Sequence, residues 1–404
     1  MVTPVSELDL PEVTFDFADA REHRAMLGEI AKESWIAKGV FAYPILSYED
    51  CVAILRDKRW HSAAALAASA FGLDDPRLAE RRRESILSAE GEVHTRLRRL
   101  VAPSFSPRSA DRLRPFMREV MNSLLDPVTP SGRCELAADV CDPYPIPIIC
   151  ELLGAPKEDW QLFSRLAEQV LNIFNATDSD QLTEIFAAQD ELEAYTLDLI
   201  ADRRNKPADD LITSLIAAEE AGDKLSEIEL VMMVQAVIVG GTDTTRNQLG
   251  CSVGLFAEHP DQWKLLAEQP ELAPKAVEET MRYFGAVRAT GRFASEDIEY
   301  KGILFPKGTL VTPALAMANR DGAVFADPDT FDITREPVGQ PQMTFGSGIH
   351  YCLGAALARA EQQEALPLMA KRMKNLRIDG EVTWKPSTVA IFGPEKLPIT
   401  FDPS

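Results

Sequence analysis

Two stretches of this chain hold residues whose types and spacing can do chemistry. The first is Phe345-Gly346-Ser347-Gly348-Ile349-His350-Tyr351-Cys352-Leu353-Gly354. Two glycines two apart allow backbone angles closed to other residues, so a tight, bulged loop is expected. Cys352 opens a run of helical composition, Leu353 to Leu376, and so stands at a predicted helix N-terminus. There, free N–H groups and the helix dipole favour the thiolate. Thiolate is the form that ligates iron, and N–H donors aimed at sulfur tune the metal. Phe345 supplies an apolar wall that keeps water from the sulfur. On composition alone a buried structural cysteine after a glycine-rich turn fits as well. A Cys–His nucleophile pair is weaker, because His350 stands only two residues from Cys352 and contact is not assured. A phosphate loop is weaker still, since no Gly-Lys-Ser/Thr follows.

The second stretch is Gly240-Gly241-Thr242-Asp243-Thr244-Thr245. It lies mid-way along a predicted helix that opens with the S-x-x-E capping box of Ser226 and Glu229 and meets no proline before Pro260. About 30 residues at ~1.5 Å each span roughly 45–50 Å, the width of a domain. Adjacent glycines in a buried helix cost about 1 kcal/mol each relative to alanine, so a packing or functional reason is expected. Lacking side chains, they let another body approach and permit local unwinding that frees carbonyls for water. Asp243 and Thr244 then place an acid and an alcohol at the opening. A simple helix kink with solvated polar residues is the plainer alternative.

The ten-residue loop resembles the haem-ligand loop of the cytochrome P-450 family, matching Phe345, Gly346, Gly348, His350, Cys352 and Gly354 in order. The resemblance covers essentially the whole chain, and Gly240 to Thr244 resembles the same family's oxygen-activation groove. It implies a mainly α fold with smaller β-sheets, one domain over residues 1–404, and haem b held between the long helix and the Cys352 helix. It implies a monooxygenase that inserts one oxygen atom of dioxygen into a C–H or C=C bond of an apolar small molecule, with Cys352 on iron. Thr244 would hold a water by hydrogen bonding at the oxygen site, and Asp243 would feed protons from the surface. His94 and Arg98 lie four apart on one helix face, a spacing that suits a carboxylate; with Arg292 and His350, the family likeness puts them at the haem propionates. The usual Pro-Pro-Glu lead-in to that helix is replaced by Gly91-Glu92-Val93. Glu279 and Arg282, three apart, read from spacing as a surface pair, whereas the resemblance implies a buried pair tying their helix to the loop before the cysteine. Arg288, Thr290, Ile391 and Phe392 fall where family members touch substrate. A peroxide-driven peroxygenase and a non-catalytic haem-thiolate sensor are the rival classes; the intact Asp243–Thr244 pair disfavours both.

The elements that must position these residues follow from pattern. Helical periodicity runs over about 19–37 and 49–58, a strand is expected over 39–46, and most of 108–218 reads as helix, with 157–200 covering the pocket. Phe163, Leu166, Val170, Ile173 and Phe174 are apolar at helical spacing, which fits plain core as well as ligand contact. Strands are expected from Arg292 to Val311 and near 381–401. The segment His61 to Phe71 resembles the loop over the substrate pocket.

Composition sets the outer bounds. With 63 acidic and 42 basic residues the formal charge is −21, which argues against non-specific nucleic-acid binding. Against that background Arg77 to Arg118 holds eleven arginines, a patch where an acidic, ferredoxin-type electron donor, itself served by a reductase, would dock. Six cysteines without CxxC spacing read as reduced, hence a cytoplasmic protein. The apolar runs Val231–Val239 and Ile146–Leu153 are too short for a membrane anchor, and nothing at the start resembles a signal peptide.

Overall fold

In the computed structural model, residues 2–14, 20–65, 85–171, 179–220, 225–337, 339–386 and 391–403 are described. Arg77, Arg81, Arg82, Arg83, Ile173, Phe174 and the end of the predicted 61–71 loop lie outside them.

The long helix runs Glu227–Glu258, 32 residues, and opens as the pattern requires. The Ser226 N–H donates to Glu229 Oε2 at 2.8 Å and the Glu229 N–H to Ser226 Oγ at 3.2 Å, satisfying two otherwise orphaned donors. It ends at His259, where Pro260 starts the next helix. Helices Pro145–Leu153, Trp160–Leu171, Ser179–Asn205, Ala273–Phe284 and Ala355–Arg372 pack around it. Its composition and length would also suit a membrane span, which the shorter apolar runs concealed, but 56% of its most apolar window is buried in the protein. It is a core helix flanked on several sides by others.

Gly241 explains one of these contacts. A Cβ there would stand 2.3 Å from Ile149 Cδ1, so only glycine lets the Pro145–Leu153 helix come this close. The helix is unbroken through 240–245, and the expected unwinding is absent. The glycine pair is used for packing and open space instead.

Ala355–Arg372, the cysteine helix, is held along its length. Tyr144 Oη donates to the Glu361 carbonyl at 2.9 Å, and Trp263 Nε1 donates to the Met373 carbonyl, just past the helix, at 2.8 Å. Helix Pro107–Leu125 lies against it. Fully buried Met117, Met121, Leu366 and Met369 belong to one hydrophobic core, each burial contributing about 1.5–3 kcal/mol.

Among the described residues, four small sheets cluster beside the helices. The four-stranded one has the order Tyr43–Ile45, Leu310–Pro313, Arg292–Ala294, Trp60–Ser62, the first pair parallel and the rest antiparallel. The others join Thr3–Pro4, Ile303–Phe305 and Ile298–Tyr300; Arg133–Glu135, Pro398–Thr400 and Arg377–Ile378; and Thr383–Trp384 with Pro394–Lys396. The strand predicted over 39–46 is reduced to 43–45, and the run from Arg292 to Val311 is cut into four strands. Lys301 and Gly302, both at positive φ, turn the chain between the second and third of them, and Gly308 lies before the fourth.

Candidate active site

The loop before Cys352 is built by backbone hydrogen bonds. Gly346 and Gly348 take φ of 71° and 72°. The Gly346 N–H donates to the Met343 carbonyl at 2.7 Å, and the Cys352 N–H donates to the Phe345 carbonyl at 2.9 Å. A Cβ on Gly348 would lie 1.9 Å from the Leu55 carbonyl oxygen, so this glycine docks the loop on helix Tyr48–Arg56. It does not line the cavity described below, contrary to its predicted cofactor role. The helix itself starts at Ala355, three residues past Cys352. The cysteine therefore precedes the helix rather than opening it, and its own N–H closes the loop.

Burial pushes the Cys352 thiol above its usual value, where the sequence led us to expect a lowered one. The Gly354 N–H and the Arg98 and Arg359 guanidiniums oppose that rise, and a coordinated metal deprotonates a thiol outright. Arg359 lies 4.4 Å over the Phe345 ring and donates to Glu278 Oε1 at 2.5 Å and Tyr351 Oη at 3.0 Å. Phe345 is thus clamped beside the sulfur.

Cys352 is exposed and borders a cavity of about 770 Å³. The long helix contributes Gly240, Gly241, Thr244 and Thr245, and the loop contributes Phe345, Gly346, Cys352 and Gly354. A Cβ added at Gly240 would meet nothing within 4 Å, so this glycine opens space on the cavity side. Thr244 Oγ1 donates to the Gly240 carbonyl at 2.9 Å. Arg288, Thr290 and Ile391 line the cavity, Ile391 through a bridge to Val287. Phe392 does not. It is 2% exposed and packs with Cys251 and Ala286, stacked on Trp384 with ring centroids 5.5 Å apart. Adjacent residues of an extended chain point to opposite faces, so Ile391 and Phe392 part company.

The predicted cationic group does assemble at one edge. His94, Arg98, Arg292 and His350 all border the cavity, with the two imidazoles 4.5 Å apart. Burial, then the His350 and Arg98 charges, lower His94 to about 4, so it is a neutral N–H donor. Arg98 donates to the carbonyls of Ile349 (3.2 Å) and Tyr351 (2.5 Å) in the loop just before the cysteine. Burial lowers Arg292 to about 10, well above neutrality, so it stays charged. It sits opposite Ser62 in the sheet. The Ser62 N–H donates to Glu90 at 2.6 Å, and Glu90 lies 3.0 Å from His350 Nε2. Sequence reasoning missed Glu90; no spacing links it to partners 28 and 260 residues away.

Asp243 does not share the cavity with Thr244. Successive helical residues are about 100° apart, and Asp243 turns to Arg246 (2.6 Å), Asn247 Nδ2 (3.0 Å) and Lys385 (3.4 Å). Arg246 also approaches Asp142 at 3.4 Å and Glu168 at 3.6 Å, both partly exposed. The acid thus faces a charged network leading outward, and the alcohol faces the cavity. Arg246 was legible as an i,i+3 partner of Asp243 but was passed over. Glu361, also missed, borders the cavity from the cysteine helix. Burial pushes its carboxyl well above the usual range, and Thr245 Oγ1 lies 3.4 Å from Oε2.

Glu279 and Arg282 form a buried bidentate pair, Nε–Oε2 and Nη2–Oε1 both 2.7 Å, with side chains 3% and 2% exposed. Arg282 also donates to the carbonyls of Asn319, Pro328 and Thr330, and Arg335 joins Glu279 at 3.2 Å. The direct tie is therefore to the 319–335 meander. Asn319 passes it on: its Oδ1 accepts from the Met343 N–H at 2.6 Å and its Nδ2 donates to Thr344 Oγ1 at 3.2 Å.

A planar group with an iron-bound centre and two carboxylates fits these donors: one sulfur facing the cavity, open space at Gly240, and basic groups gathered along one edge. Comparison with known proteins agrees. The family model described as Cytochrome P450 matches residues 147–376. Luteothin monooxygenase of Streptomyces thioluteus is 35% identical over 401 residues, covering 99% of this chain and 98% of its own. Mycinamicin IV hydroxylase/epoxidase of Micromonospora griseorubida is 35% identical over 370 residues, with 90% of each chain covered. The crystal structure of CalO2 superposes with a TM-score of 0.89 at 29% identity, covering 97% of this chain and 99% of that one. The fold, the cysteine loop and these relatives agree: the chain belongs to the cytochrome P450 family, whose members bind haem b through a cysteine thiolate, and it is a haem-thiolate monooxygenase.

Proposed function

We propose that residues 1–404 form one haem-containing domain that inserts one atom of dioxygen into a C–H or C=C bond of an apolar small molecule in the cytoplasm. Cys352 is the iron ligand, and its place between the cavity and the protein surface is the observation that carries the reading. Bound haem supplies oxygen activation by accepting electrons one at a time. The chain supplies position, dryness and protons. His94, Arg98, Arg292 and His350 hold the propionates, with His94 donating as a neutral imidazole. Phe345, clamped by Arg359, keeps water from the sulfur. Thr244 holds a water on the cavity side, and Asp243 exchanges protons with the outside through the Arg246 network. Ile86, Ala236, Val237, Val287 and Ile391 give the cavity an apolar wall, which supports an apolar substrate body.

Electrons come from a separate ferredoxin-type protein and its reductase. A shallow recess on the other side of Cys352, bordered by Arg98, Arg114 and Arg359, supports entry there. The test is Cys352→Ala. The reduced carbon monoxide complex of the wild type carries the red-shifted band of a thiolate ligand, and the variant lacks it. Retention of that band in the variant would remove Cys352 from the iron.

A further inference from the structure

Next to Glu279 on helix Ala273–Phe284 stands Glu278, about 100° away round the axis. It pairs with a different arginine. Arg359, on the cysteine helix, donates from Nε to Glu278 Oε1 at 2.5 Å and from Nη2 to Oε2 at 3.1 Å. Its third nitrogen, Nη1, donates to Tyr351 Oη at 3.0 Å. The guanidinium is thus held by all three nitrogens, with its carbon 4.4 Å from the centre of the Phe345 ring. With side chains 24% and 39% exposed, the pair adds little stability by itself. Its value lies in where it fixes a charge.

That charge stands beside the sulfur. Arg359, Tyr351 and Cys352 border one recess, and Arg359 shares with Arg98 the task of favouring the Cys352 thiolate. The two arginines differ in what else answers them. Arg98 borders the cavity and belongs to the group assigned to the propionates, whose carboxylates balance its charge. Arg359 does not border the cavity, so its charge is not taken up there. Its counter-ion is Glu278, which borders neither the cavity nor the recess. Of this pair it is the guanidinium that the sulfur feels more strongly.

We infer that Arg359 is a positioning residue that sets the reduction potential of the bound iron: its fixed charge raises the potential, while Glu278 holds the guanidinium in place and tempers it. This rests on the haem-thiolate reading above and adds to it the control of electron uptake. In that step one electron passes from the donor protein to the iron, no bond to the chain is made or broken, and the charge of the site falls by one. A cation held close by favours the more negative product, and a carboxylate disfavours it. The Phe345 ring lies between the guanidinium and bulk water's screening, so the charge acts more strongly than it would in solvent. Stacking on the ring and the planar fork to Glu278 keep the guanidinium from turning away.

Arg359 also borders the recess proposed for electron entry, so a reduction rate mixes docking with driving force. An equilibrium potential does not. The experiment is therefore a redox titration of the substrate-free holoenzyme, with the carbon monoxide band recorded on the same samples. Arg359→Gln lowers the potential by about 59 mV, a tenfold change in the one-electron equilibrium. Glu278→Gln, which removes the opposing charge and leaves the guanidinium on Tyr351 and Phe345, raises it. Arg359→Lys keeps the charge without the fork and shifts the potential by less than half as much as Arg359→Gln. Loosening of the cysteine loop moves both members of the pair the same way, so opposite signs are the signature of charge. Equal potentials in wild type, Arg359→Gln and Glu278→Gln overturn the inference, and so do shifts of one sign. If Arg359→Gln holds too little haem to titrate, the sign in Glu278→Gln decides alone. If wild type shows the thiolate band and the opposite shifts are missing, only the tuning is wrong. If wild type lacks the band, the haem-thiolate reading fails and the tuning with it.

Discussion

At the scale of single residues, chemistry is divided between neighbours. Thr244 and Asp243 are adjacent, yet one borders the cavity and the other an ionic network. Thr244→Ala removes one hydroxyl whose hydrogen bond is to its own helix at Gly240, so the fold and haem content are retained. Control of the proton on the cavity side is what it loses. Product formed per reduced cofactor falls severalfold and hydrogen peroxide released rises to match. Wild-type coupling in this variant would take Thr244 away from the oxygen site. Asp243→Asn keeps most of the local packing, because Arg246 retains Asp142 and Glu168. Its product yield per electron is largely preserved, while turnover drops by about 100-fold, the usual loss on removing a positioned acid–base group. A turnover within twofold of wild type would mean protons enter by another route. The residue types in both motifs were legible in the sequence because glycine, cysteine and helix-cap chemistry are local. The direction Asp243 takes was not, since Asp142 and Lys385 lie about a hundred residues or more to either side.

At the scale of elements, the Glu279–Arg282 pair separates what spacing says from what packing adds. An i,i+3 pair on an exposed helix face contributes only a few tenths of a kcal/mol. Here the 319–335 meander wraps over it, and the pair becomes the hub for three carbonyls and for Arg335. Removing either member leaves a buried charge uncompensated, at a cost of about 3–5 kcal/mol. Glu279→Ala strands two guanidiniums and is expected to be the more damaging. Arg282→Ala leaves Arg335 on the carboxylate, a partial rescue. Both lower the thermal midpoint and the haem bound per chain, because the Cys352 loop hangs from the meander through Asn319 and Thr344. Normal midpoints and haem content in both variants would show that the meander does not hold the loop. The same comparison shows where sequence patterns carry far. A capping box and a distant proline marked the ends of the Glu227–Glu258 helix closely. The run from Arg292 to Val311 was read as continuous, because its breaks depend on turns at Lys301, Gly302 and Gly308 rather than on hydropathy.

At the scale of the whole molecule, charge decides how an electron donor arrives. A chain of net charge −21 repels an acidic partner everywhere except where cations are concentrated. The arginine-rich segment was the sequence's one indication of such a place, and the structure divides its described members. Arg96 is bound to Glu229, at the cap of the long helix. Arg112, Arg114 and Arg118 are paired with Asp209, Asp111 and Glu364. Arg99 is exposed and forms no ion pair among the described residues. It follows Arg98, whose guanidinium donates to the carbonyls of Ile349 and Tyr351 in the loop just before Cys352, so its helix meets the cysteine loop. Charge reversal therefore separates two roles that composition alone runs together. Arg99→Glu slows electron transfer from an acidic ferredoxin by about tenfold at low salt, and the effect fades as salt screens the surface. Thermal stability is unchanged, since no partner among the described residues is lost. Arg96→Glu places two carboxylates together at the start of the long helix and lowers stability at every ionic strength. Stopped-flow reduction from 10 mM to 0.5 M salt, alongside thermal unfolding, distinguishes them. A reduction rate for Arg99→Glu equal to wild type at low salt would move the docking face away from the Gly91–Val101 helix.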